Sequence, residues 1–156
     1  MTTASHPAQH HHMMGLTLHN TAMGIGAVFL LVGVLGFIPG ITTNYAAMTF
    51  AGHESGAMLL GVFQVSVLHN IVHLLFGVAG IAMARTDRMA RVFLLGGGAV
   101  YLLLWIYGLV IDMNAAANFV PFNTADNWLH LVLGVGMVGL GLWLGRDAME
   151  KKGSAM

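Results

Sequence analysis

Apolar residues in this chain do not alternate with polar ones; they come in long unbroken blocks. Four blocks cover residues 21–38, 65–84, 92–111 and 127–144, each close to the ~20 residues an α-helix needs to cross ~30 Å of hydrocarbon. The intervening segments 39–56, 85–91 and 112–126 collect the turn formers and most charges, and read as loops. Residues 56–66 (GAMLLGVFQVS) are apolar as well. They either start the second helix early or form a short amphipathic helix along the interface, and the pattern leaves both open. The predicted fold is all-α: an integral membrane four-helix bundle over residues 21–145, preceded by a leader over 1–20 and followed by a tail over 146–156.

Composition supports a bilayer as the solvent. The hydrophobic class makes up 57% of the 156 residues and charged residues only 8%, whereas a soluble domain carries about 25% charged residues. The absence of cysteine excludes disulfides, thiolate metal sites and iron–sulfur clusters. Six Lys and Arg balance six Asp and Glu, which leaves no basic face for nucleic acid. Residues 1–20 contain no Lys or Arg, so the first block reads as a retained span and not as a signal peptide. The leader reads as disordered; its His6, His10, His11 and His12 have a metal-binding composition but no assigned role.

Orientation follows from charge. Arg85, Arg88, Arg91, Arg146, Lys151 and Lys152 are all the cations in the chain, and in a four-span topology they share one side. By the positive-inside rule both termini are then cytoplasmic. Trp128 and Trp143 mark the two interfaces of span four.

The blocks also repeat. GAVFLLVGVLG (26–36) aligns with GAVYLLLWIYG (98–108), and HNIVHLLFGV (69–78) with DNWLHLVLGV (126–135). The order is preserved, so the chain reads as two parallel repeats of one helical hairpin, related by a pseudo-two-fold axis along the membrane normal. Small residues in spans two and four (Gly77, Gly80 and Ala84; Gly134, Gly141 and Gly145) form faces that let helix backbones approach closely.

Candidate chemistry concentrates in the second repeat pair. His69 and His73 share one helix face at four-residue spacing, as do Asp126 and His130. With Asn70 and Asn127 they predict an interhelical polar clasp, with spans two and four side by side and His73 and His130 pointing inward. Asp126 also suits an N-cap for span four, and His19-Asn20 one for span one. Two other uses stay open. His69, His73, Asp126 and His130 suit a divalent metal, or His73 and His130 could be axial ligands of a haem. A proton-linked transporter would need polar residues reaching the other face, but residues 74–84 and 131–144 contain no ionisable group. Tyr101, Trp105 and Tyr107 either wall a ligand pocket or pack as aromatics.

Together GVLGFIPG (33–40), VLHNIVHLLFGVAG (67–80) and NTADNWLHLVLG (123–134) resemble a family of small four-span bacterial membrane proteins, common in actinobacteria and known only as a domain of unknown function. The resemblance covers about residues 20–145. It implies a bacterial plasma-membrane location and makes His69, Asn70, His73, Asp126, Asn127 and His130 the hallmark polar positions, while implying no activity. The expected function is that of a structural or accessory membrane protein rather than an enzyme. Its expected partners are the lipid bilayer and either another membrane protein or a second copy; no cofactor is assigned.

Overall fold

The computed structural model describes residues 16–153, so the histidines of residues 6–12 lie outside the described residues. Four helices carry the chain: α1 (Leu18–Leu35), α2 (Val67–Met83), α3 (Asp87–Val110) and α4 (Thr124–Gly153). Three of them, α1, α3 and the Thr124–Arg146 part of α4, are long and apolar enough to cross a membrane. α2 has 17 residues, about 25 Å at 1.5 Å per residue.

Local capping explains the helix bounds. Thr17 accepts a hydrogen bond from the Asn20 amide and starts α1, so the N-cap lies before His19-Asn20, and the helix begins inside the expected leader. The His19 imidazole instead donates through Nδ1 to the Ala84 carbonyl at the end of α2. Ser66 caps α2 and Thr86 caps α3 in the same way, and Asp87 adds a favourable negative charge in the first turn. This cap moves the start of α3 five residues ahead of the apolar block and shortens the second loop to a tight turn. α4 continues past residue 144, where the apolar block ends, because residues 146–152 are rich in good helix formers (Arg, Ala, Met, Glu and Lys) whether or not they are apolar.

α1 packs chiefly on α2, and α3 on α4. Glycine makes both contacts close: a Cβ on Gly26 would stand 2.9 Å from the Gly77 carbonyl oxygen, and one on Gly98 would stand 3.0 Å from that of Gly134. The two pairs meet mainly through α1 with α3 and α2 with α3. α2 and α4 are not a principal packing pair, which corrects the side-by-side expectation: each packs on its sequence neighbour through glycine, and the hairpins associate through α1 and α3. At that junction the rings of Phe29 and Tyr101 stack at 5.4 Å, and Phe76 meets both edge-on. The outer helix faces carry Leu31, Leu75, Leu103 and Val132, all more than half exposed.

The loop after α1 departs from the all-α expectation. Residues 56–66 form neither a helix extension nor an interfacial helix. Thr42–Thr43 (β1), Met58–Leu59 (β2) and Phe63–Gln64 (β3) build a three-stranded antiparallel sheet in the order β1-β2-β3. Leu60 and Gly61, both at positive φ, turn the chain between β2 and β3, and a turn with this geometry breaks any helix. The second long loop, residues 111–123, is organised by Asn118, whose amide group donates to the Met113 and Phe122 carbonyls and accepts from the Phe122 amide. The two loops lie at one end of the molecule, joined by a 2.7 Å bond from the Gly52 amide to the Phe119 carbonyl.

Candidate functional site

Beneath these loops lie the polar residues singled out by the sequence. His69, Asn70, Asp126, Asn127 and His130 are all buried, and His73 is half-buried. His69 stands in the first turn of α2, three residues after its Ser66 cap, and Asp126 stands three residues after Asn123 at the start of α4. Asp126 is therefore not the N-cap. Asn123 takes that place: its side-chain oxygen accepts from the Asp126 amide at 3.0 Å, while Asp126 Oδ2 accepts from the Asn123 amide at 2.9 Å, a reciprocal capping box.

Each of these two residues then reaches across to the loop in front of the other helix. Asp126 Oδ2 accepts a second bond, 2.9 Å long, from the backbone amide of Gln64, and His69 Nδ1 donates to the backbone carbonyl of Pro121 at 2.7 Å. The chemistry of the two partners dictates the side chains. Proline has no N–H and offers only a carbonyl, so a donor must face it. Gln64 offers its amide to Asp126, so an acceptor must face it. Asn123 adds a third cross-link, donating to the Val62 carbonyl at 2.8 Å.

The asparagines do a different job. The Asn70 side chain rests on the backbone of Gly36, and that of Asn127 on Gly108, where any Cβ would collide with them. Both Asn70 side-chain atoms and Asn127 Oδ1 are buried without a hydrogen-bond partner, as are Nδ1 of His73 and Nδ1 of His130. The His73 ring lies 4.6 Å from that of His69 and 5.7 Å from Phe29; the His130 ring lies 5.4 Å from Tyr101 and 5.2 Å from Phe122. Among the described residues no three His, Asp or Glu side chains are arranged to hold a metal ion.

Two cavities flank these rings. One, about 410 Å³, runs between α1 and α4; the other, about 260 Å³, runs between α2 and α3 beneath residues 117–122. His69, His73, Tyr101 and His130 line both and stand as the partition between them. The structure brings the four titratable groups and Tyr101 together here, with Gln64, Pro121 and Asn118, which the sequence pattern did not single out, bonded around them. Gln64, an isolated polar residue in an apolar run, was the available signal.

No curated protein and no solved structure matches the chain. Residues 19–143, most of the chain and a span that includes His69, Asn70, His73, Asp126, Asn127 and His130, match the domain of unknown function DUF4383, and the protein belongs to that family.

Proposed function

We propose that this protein is a four-span membrane bundle made of two repeats of one helical hairpin, acting as a structural or accessory component rather than as an enzyme. The observation that carries this reading is the crosswise bonding of His69 to Pro121 and of Asp126 to Gln64. The internal alignment pairs residue 69 with 126, and the same 57-residue offset carried back without a gap pairs the caps Ser66 and Asn123 and then Gln64 and Pro121, so the two bonds are equivalents with donor and acceptor exchanged. Three helix contacts follow the same correspondence: Gly26 on Gly77 and Gly98 on Gly134, Leu30 on Gly77 and Leu102 on Gly134, Gly36 on Asn70 and Gly108 on Asn127.

His69 and Asp126 are thus occupied in joining the hairpins, which supports a clasp over a catalytic or metal-binding set built on those two residues. Asp126 and His69 both spend hydrogen-bonding capacity on backbone groups. The bundle sits in the bacterial plasma membrane with both termini in the cytoplasm. Support for this comes from Arg85, Arg88, Arg91 and Arg146, which gather at the end opposite the two long loops, and from the apolar outer faces, which suit lipid.

The test is a pair of single substitutions made in the full-length protein in mild detergent. His69→Leu and Asp126→Ala are each expected to lower stability by about 1–3 kcal/mol, the cost of stranding a buried partner. Elemental analysis and an absorption spectrum of the same preparation are expected to show neither stoichiometric metal nor a haem band. Variants as stable as the wild type would end the clasp reading, and bound metal lost together with His69 or Asp126 would replace it.

A further inference from the structure

The clasp leaves two imidazoles unused. His73 and His130 occupy equivalent places in the two hairpins, flank the Phe29–Tyr101 stack and line both cavities. His130 is only 6% exposed, and its buried Nδ1 has no partner; neither does Nδ1 of His73. Buried polar atoms of this kind are costly unless something satisfies them.

We propose that the larger cavity binds an uncharged, lipid-soluble molecule of the quinone class, its carbonyl-bearing ring held against His73, Tyr101 and His130 and its chain leaving between α1 and α4. The volume of about 410 Å³ falls among those of small-molecule pockets, roughly 300–1,000 Å³. Apart from the imidazoles, Tyr101 and Asp126 the lining is apolar, with Ile25, Val28, Val32 and Leu133 along the expected path of the chain. Val28 and Leu129 are both exposed on the outer surface, and α1 and α4 pack only sparingly, so the cavity has a mouth toward lipid.

The lining chemistry narrows the head group. A neutral imidazole carries one donor and one acceptor, so His73 and His130 can each meet a carbonyl or a hydroxyl. A carboxylate or phosphate head is disfavoured, because the lining contains no Lys or Arg and does contain Asp126. Planar rings are favoured by the aromatic side chains of Phe29 and Tyr101, which both line the cavity.

The full-length protein, purified in mild detergent, is titrated with decylubiquinone while tryptophan fluorescence and thermal unfolding are followed. Saturable quenching and a raised melting temperature are expected. Val28→Trp, which narrows the mouth without touching a polar group, should abolish both effects. His130→Phe should weaken binding about tenfold, the loss of one buried hydrogen bond, and His73→Phe, which likewise removes the imidazole's donor and acceptor, serves the same purpose should His130→Phe fail to fold. Quenching that does not saturate overturns the proposal. So does equal binding by wild type and Val28→Trp, or binding of dodecanol as tight as that of the quinone.

Discussion

At Gly36 an added Cβ would stand 2.1 Å from Asn70 Oδ1, and at Gly108 it would stand 2.2 Å from Asn127 Oδ1. Gly36 has ordinary right-handed helical angles, φ −60° and ψ −22°, so alanine there costs nothing in backbone conformation and everything in collision. Gly36→Ala and Gly108→Ala are each expected to lose about 1–3 kcal/mol through overpacking, read as a lower melting temperature in detergent. Gly24, Gly136 and Gly139 have open space around the same position. There alanine should hold or raise stability by up to ~1 kcal/mol through helix propensity. The proposed clasp gives a second prediction at this scale, because the two positions need opposite chemistry. Asp126→Asn keeps an acceptor for Gln64 and should cost less than Asp126→Ala, and His69→Gln keeps a donor for Pro121 and should cost less than His69→Leu. Equal losses within either pair would show that bulk, not hydrogen bonding, matters there.

The four helices were legible because each is a long apolar block, and hydropathy needs no partner to be seen. Their ends were less so: caps such as Thr17, Thr86 and Asn123 are single hydroxyl or amide residues, and a cap can lie several residues outside the apolar block it serves. The sheet of residues 42–64 escaped because two-residue strands carry no readable alternation, and an apolar run such as 56–66 suits helix or strand equally. Of the site, the titratable residues were visible from the internal alignment, whereas their partners were not, since a backbone amide or carbonyl has no signature in a sequence. The β2–β3 turn offers a test of that loop. Leu60 adopts φ 54°, a left-handed conformation costing about 1–2 kcal/mol for a residue with a Cβ. Leu60→Gly should therefore lose no stability, while Leu60→Val, whose branched Cβ tolerates that conformation worse, should lose about 1 kcal/mol.

For the whole molecule, the gathering of arginines at one end and long loops at the other makes orientation measurable. A reporter active only in the cytoplasm should work when fused after Met156 and fail when inserted between Asp112 and Asn118; the opposite result would invert the proposed topology. The cross-links between loops also bear on how such a chain is made. Gln64 and His69 emerge from the ribosome with the first hairpin, but Pro121 and Asp126 arrive only with the last helix. A chain interrupted after α3 therefore carries a finished first hairpin whose strand edge and imidazole have nothing to bind. Neither bond can close until the last helix has been made, so the loops of the first hairpin can lock only after the whole bundle has been delivered.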